Sequence, residues 1–316
     1  MSTSSFAIIF PGQGSQSVGM LGEIATQFAE VKQTFTEASD VLGYDLWQLS
    51  QQGPAEELDK TAHTQPALLA ASYAIWQVLA ARKPLQPAML AGHSLGEYTA
   101  LVCANALSFA DAVKLVAARG QYMQEAVASG VGAMAALIGL DEANVAEICN
   151  QAVVSPDEIL APANFNSIGQ IVVAGHKPAV ERAIALAKEQ GAKLAMMIPV
   201  SVPSHCQLMQ PAALRLASLL ATVSLKTPEI PIINNVDVKS YTSIDLIRDG
   251  LVRQLYSPVR WVETIQHFTQ AGITTMIECG PGKILTGLNK RIDKTLRLMT
   301  TSDLTSLETV LKSEEP

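Results

Sequence analysis

The chain has few cysteines, little charge and no long hydrophobic run, and each shortage excludes a class of protein. The four cysteines, Cys103, Cys149, Cys206 and Cys279, lie too far apart for any C-x-x-C pair, so neither a thiolate metal site nor a dithiol redox motif is expected. Reduced thiols and a cytoplasmic setting are the expectation. Basic residues are not in excess: 22 Lys and Arg face 29 Asp and Glu, a net charge of −7, which argues against a nucleic-acid or anionic-membrane binder working through a basic face. The stretch 61–81 has no Asp, Glu, Lys or Arg but is interrupted by His63, Gln65 and Pro66, and reads as a buried helix instead of a membrane span. The first residues lack a basic segment and their apolar run covers only residues 6–10, so no secretory signal is expected. With 48% hydrophobic residues in 316, the chain can bury a large core as one large or two unequal domains.

Short apolar runs bounded by Gly, Pro or Asn alternate with stretches of helical period, the pattern of an α/β sheet with crossover helices. Strands are predicted at 6–10, 88–91, 196–200, 230–234 and 273–278. Helices are predicted at 20–41, 66–82, 95–106, 109–128, 245–255, 258–270 and 303–312. Ser257 with Pro258 at the first helical position, and Ser108 followed by Asp111, read as helix starts. From Gly132 the order changes to strand, helix, two strands, helix and strand, with the last strand over 193–200. That βαββαβ order is the ferredoxin-like unit and suggests an insert at 131–200 within a body formed by 1–130 and 201–316. One continuous mixed sheet is the alternative.

Gly92-His93-Ser94-Leu95-Gly96 fits G-x-S-x-G and stands between a predicted strand and an apolar helix. In that context glycines permit a strained turn that lifts a serine hydroxyl out of the sheet. The helix start beneath supplies free N–H groups and a positive dipole end for an oxyanion. A serine nucleophile needs a base, and of the five histidines His205, in SVPSHCQ at the end of the predicted strand 196–200, is the best placed. A polar loop or helix-start role for His205 is the alternative. Cys206 is discounted as a partner, since adjacent residues rarely face each other. The loop PGQGSQ after the first strand lacks the third glycine of a dinucleotide fingerprint and the G-K-[ST] of a P-loop, leaving a glycine turn able to offer backbone N–H groups. Gly280-Pro281-Gly282-Lys283 reads as a structural turn. Arg119 falls on one helical face with Ala112, Val116 and Met123, so a guanidinium occupies an apolar stripe. Its partner is either a structural Asp or Glu or a substrate carboxylate.

Taken in order, FPGQGSQ, GHSLGEY, AARGQYMQ, GAMAALIGL, NFNSIGQIVVAG, PVSVPSHC, NNVD and GPGKILTGL resemble the malonyl-CoA:acyl carrier protein transacylases of fatty-acid synthesis over about residues 6–292. Ile168 departs from the proline usual in that family's turn. The resemblance implies an α/β-hydrolase-like body with a mainly parallel sheet and a ferredoxin-like insert. It implies Ser94 as acylated nucleophile, His205 as base oriented by the Gln254 carbonyl, Gln13 and Leu95 N–H groups as oxyanion hole, and Arg119 for the malonyl carboxylate. No metal or redox cofactor is implied; malonyl-CoA is a substrate and acyl carrier protein the partner. Carrier proteins are acidic, and Lys283, Lys290, Arg291 and Lys294 form a basic cluster suited to docking one, with Lys290 and Arg291 at its centre. The rival readings are an esterase or thioesterase with the chain order Ser, Asp or Glu, His, and a catalytically silent scaffold.

Overall fold

The computed structural model describes residues 5–200 and 202–313, so the expected boundary at residue 201 lies outside the described residues. Among them the strands form two sheets. The first contains β1 (Ser5–Phe10), β2 (Met89–Gly92), β7 (Ile232–Ile233), β8 (Ile273–Glu278) and β9 (Arg297–Thr300), all parallel, in the order β7-β2-β1-β8-β9. The second contains β3 (Gly132–Ile138), β4 (Leu160–Ser167), β5 (Gln170–His176) and β6 (Leu194–Met197), antiparallel in the order β4-β5-β3-β6. The chain is therefore α/β, with a parallel sheet and a second, separate antiparallel sheet; the mixed-sheet alternative is not what forms.

Parallel strands buried on both faces read as continuous apolar runs, which is why Phe6 to Phe10 are all buried and easy to find. The helix Thr61–Arg82 packs behind this sheet and buries fifteen of its residues, so its apolar surface runs all round. The second sheet has its own core of Leu137, Val145, Ile148, Val173 and Val180 between strands and helices. The sheets meet where the segment before helix Trp261–Gln270 lies along β4: the Val259 N–H donates to Ala163 O at 2.9 Å and Val259 O accepts from Phe165 N at 2.9 Å.

That contact corrects one expectation. Ser257 and Pro258 do not start the helix, because Val259 is held extended against β4; the helix begins at Trp261 with Arg260 before it. The expected helix 20–41 is broken at Phe28, whose backbone is extended between Ile24–Gln27 and Ala29–Leu42 while its ring packs under the Arg82 guanidinium at 4.5 Å. The helix expected from Pro66 starts a turn earlier at Thr61, held by Ala62 N donating to the Gln124 side chain and Thr64 Oγ1 to Leu58 O. The last strand of the antiparallel sheet stops at Met197, short of 200. Helices Leu46–Gln52 and Gln210–Leu220 and the edge strand β9 were not anticipated. Ser108 caps its helix as expected, accepting from Asp111 N.

Two glycines give opposite expectations. A Cβ on Gly120 would lie 2.5 Å from Thr61 O, where helix Phe109–Glu125 crosses helix Thr61–Arg82, whereas one on Gly287 in helix Ile284–Ile292 would meet nothing within 4 Å. Gly120→Ala should lose about 1–3 kcal/mol through overpacking, and Gly287→Ala should gain about 0.5–1 kcal/mol through reduced chain entropy and better helix propensity. Urea midpoints for the two variants measure both; shifts of the same sign would contradict the packing described.

Candidate active site

Ser94 follows β2 directly with φ +50°, a conformation that L-residues adopt only where the surroundings enforce it. The enforcement is close packing of backbone. A Cβ on Gly92 would lie 1.8 Å from Gly96 C, and one on Gly96 2.2 Å from Phe10 O, so the turn requires glycine on both sides of the serine. The Ser94 N–H donates to Asn235 Oδ1 at 2.7 Å, and Asn235 Nδ2 reaches back to Gly92 O at 2.7 Å, clamping the turn to the end of the neighbouring strand β7.

His205 stands 2.9 Å from Ser94 Oγ through Nε2. Its Nδ1 lies 2.8 Å from the Gln254 carbonyl, which can only accept, so the ring proton sits on Nδ1 and Nε2 is left as an acceptor for the serine hydroxyl. His205 also has a positive φ, +65°, and is fixed by its own N–H donating to Leu255 O at 3.0 Å. It lies in the loop eight residues beyond Met197, not at a strand end. Burial, together with the nearby Arg119 charge, pushes the imidazole down to about 3. It is a neutral base over the whole physiological range.

Arg119 is 1% exposed, as its place among apolar residues suggested, but no carboxylate pairs with it among the described residues. Its Nη1 donates to Gln65 Oε1 at 2.9 Å, and its Nη2 to Gln254 Oε1 at 2.9 Å and to Ser94 Oγ at 3.2 Å. Its Nε has no partner, and its guanidinium carbon is 5.3 Å from the Tyr98 ring centre. Desolvation lowers its pKa from the usual guanidinium value. A buried guanidinium whose hydrogen-bond partners are all neutral oxygens can receive an anion.

Ser94, His205 and Arg119 line one cavity of about 200 Å³. Gln13 and Leu95 line it too, and among the described residues neither of their N–H groups donates to a backbone carbonyl. Met134, Val172 and Ile198 supply an apolar wall from the antiparallel sheet and its continuation, while Ile284, Leu285 and Leu288 supply another from helix Ile284–Ile292. That helix is seated by the Glu278 carboxylate, which accepts from Leu285 N at 3.1 Å and Thr286 N at 2.7 Å.

The structure thus brings Ser94, His205, Arg119, Gln13, Leu95 and Gln254 to one place. Of the other histidines, His63 bonds Glu57 O, His176 accepts from Ile159 N and His93 bonds Asn166 Oδ1 at the cavity wall. Cys206 is buried on Pro203 O, and desolvation pushes its thiol up to about 11. Gln65 and Asn235, which hold Arg119 and Ser94, escaped the sequence reading; each had a signal, as a glutamine inside an apolar helix and an asparagine after a buried strand. Among the described residues no group of His, Cys, Asp and Glu could hold a metal ion, and no helix is long and apolar enough to cross a membrane. Lys283, Lys290, Arg291 and Lys294 are all exposed, Lys283 just before the start of helix Ile284–Ile292 and the other three at and beyond its end, with Arg291 Nη1 on Gln170 Oε1 at 2.6 Å.

Residues 7–308 match the family model described as an acyl transferase domain. The chain is 58% identical over 291 residues to the malonyl CoA-acyl carrier protein transacylase of Escherichia coli K12, covering 92% of this chain and 94% of that one. An acyl carrier protein S-malonyltransferase from Vibrio cholerae superposes with TM-score 0.94 at 58% identity, over 97% of this chain and 100% of that one. A malonyl-transacylase solved in complex with a holo type II PKS acyl-carrier protein superposes with TM-score 0.96 at 55% identity, over 98% and 99%.

The arrangement makes Ser94 the residue a serine-directed sulfonyl fluoride should label. Because the folded pKa of His205 is depressed, its base form persists as pH falls below 6.5, so the labelling rate should stay level down to about pH 5. His205→Ala should slow labelling by about 10²–10⁴-fold. An inflection between pH 6 and 7 traced to His205 would show a solvated imidazole in place of the buried one.

Proposed function

The chain belongs to the acyl transferase domain family, and from that premise we propose that it transfers the malonyl group from malonyl-CoA to the phosphopantetheine thiol of acyl carrier protein, supplying extender units for fatty-acid synthesis. The observation that carries the substrate assignment is the Arg119 guanidinium, buried without a carboxylate and 3.2 Å from the Ser94 hydroxyl. A malonyl thioester has a free carboxylate one methylene from its reacting carbonyl. Seated on Arg119, that carboxylate aims the carbonyl at Ser94 Oγ.

The reaction then follows in two halves. Ser94 Oγ attacks the thioester carbonyl as His205 Nε2 takes the hydroxyl proton, and the tetrahedral oxyanion is held by the Gln13 and Leu95 N–H groups. The C–S bond breaks, the proton passes from His205 to the departing coenzyme A sulfur, and a malonyl-serine ester remains. The carrier-protein thiol enters, gives its proton to His205 and attacks the ester; collapse breaks the C–O bond and returns the proton to Ser94 Oγ. The Gln254 carbonyl keeps the imidazole in the required tautomer without a carboxylate. This reading requires no metal or redox cofactor and fits a cytoplasmic enzyme.

The same reading takes the parallel-sheet part as an α/β-hydrolase-like body and the β3–β6 part as a ferredoxin-like insert, supported by the strand order β4-β5-β3-β6. The esterase alternative is disfavoured by a specific contact: His205 Nδ1 faces a backbone carbonyl where that chemistry places an Asp or Glu. The silent-scaffold alternative is disfavoured by the intact serine and base.

Arg119→Ala should slow malonyl-serine formation, followed by intact-protein mass, by about 10²–10³-fold, as expected for stranding a desolvated charge. Acetyl-CoA, with no carboxylate, should suffer less, and equal losses for both would make Arg119 structural. For the second half-reaction, the carrier protein is proposed to dock near Lys290 and Arg291. Reversing both charges should raise the KM for carrier protein while acyl-enzyme formation stays intact; an unchanged KM would move the docking site elsewhere.

A further inference from the structure

Glu97 is a carboxylic acid with no assigned part in this chemistry, yet it lies 5% exposed directly behind the site, on the first turn of helix Gly96–Cys103. One of its oxygens, Oε2, accepts from two groups at once: Gln254 Nε2 at 2.9 Å and the Asn235 N–H at 3.0 Å. Gln254 turns its other end, Oε1, to Arg119 at 2.9 Å, and Asn235 holds the Ser94 N–H. A single acceptor therefore joins the side that carries the guanidinium to the side that carries the nucleophile.

We propose that Glu97 is a positioning residue for substrate selection: its Oε2 holds the Gln254 amide with Oε1 facing Arg119, which sets the guanidinium where the malonyl carboxylate is gripped. The inference rests on the malonyl reading given above. An amide has two nearly isosteric ends, and what lies around it decides which end faces where. The Gln254 Nε2 end faces acceptors alone, Glu97 Oε2, Ser94 O at 3.1 Å and Asn235 Oδ1 at 3.3 Å, with Glu97 the nearest. Asn235 meets Glu97 through rigid backbone and keeps its own bond to Gly92 O. Gln254 meets it through a flexible side chain, so loss of the acceptor falls mainly on the Arg119 side. The role requires a lone pair and not a charge. Burial pushes the Glu97 carboxyl up to about 7, and Oε2 still accepts when the proton resides on Oε1.

Two conservative variants separate these effects. Glu97→Gln keeps an acceptor at the same reach without the charge, and Glu97→Asp keeps the charge but withdraws the acceptor by one methylene. Single-turnover acylation by malonyl-CoA and by acetyl-CoA gives a selectivity ratio for each, which a loss of folded protein does not alter because both substrates meet the same folded fraction. Glu97→Asp should lower the malonyl-to-acetyl ratio by about tenfold or more, chiefly through a higher malonyl-CoA KM, in line with loss of a buried hydrogen bond. Glu97→Gln should restore the ratio to within about threefold of the parent. An unchanged ratio in Glu97→Asp overturns the proposal, and so does a fall in Glu97→Gln as large as in Glu97→Asp. Should the shortened variant not fold, Glu97→Met, of similar length but without an acceptor oxygen, takes its place: its ratio should fall about tenfold, and an unchanged ratio overturns the proposal. The parent and Arg119→Ala serve as controls: a parent that forms no malonyl-serine, or an Arg119→Ala with unaltered selectivity, sinks the malonyl reading itself, whereas normal controls with discordant Glu97 variants sink only this inference.

Discussion

A positive charge held in the protein interior with no carboxylate bonded to it directly is the constraint around which this site is arranged. Arg119 is stabilised by the oxygens of Gln65, Gln254 and Ser94 and by the face of Tyr98, none of which carries a formal charge in its ordinary state. Such dipoles, and the Glu97 carboxyl behind Gln254, favour an ionised guanidinium, whose field extends across the buried site. That field reaches His205 and, with burial, holds the imidazole unprotonated. The same field stabilises any anion that arrives. The charge proposed to grip a carboxylate thus also helps to keep the imidazole neutral.

The tolerance for such a charge comes from the fold. Arg119 stands on helix Phe109–Glu125, which approaches helix Thr61–Arg82 closely enough at Gly120 that only a glycine fits, and this brings Gln65 within hydrogen-bond distance. Gln254 and Asn235 come from far later in the chain, at the end of helix Ile244–Gln254 and just after β7. Their backbone and side chains act on different partners: the Gln254 carbonyl orients His205 while its amide orients Arg119. One residue thereby bonds both the imidazole and the guanidinium.

What the sequence revealed depends on how local each signal is. The turn around Ser94 was legible because its demands, a buried strand, two glycines and a following helix, all lie within a dozen residues. Arg119 was legible as an anomaly, a charge on an apolar stripe, but its carboxylate-free surroundings were not, because Gln65 and Gln254 lie 54 and 135 residues away in the chain. The part of Gln254 in orienting the base leaves no mark on side-chain chemistry, since it is a backbone carbonyl that does it, and only the family resemblance pointed there. Ser257 and Pro258 misled because their local preference for a helix start was overridden by the pairing of Val259 with β4. The edge strand β9 is half exposed and short, too weak a pattern to separate from a loop.

Ser94, at the end of the parallel strand β2, and His205, in the loop that follows the antiparallel sheet, both have positive φ and are clamped by hydrogen bonds to backbone or buried amides. Errors of an ångström there would cost much of the rate. The antiparallel sheet offers Met134 and Val172 as an apolar wall of the cavity. A site that accepts the same acyl group from one thiol and releases it to another needs such fixed positions, because the reacting carbonyl must return to one place while the two thiol carriers differ.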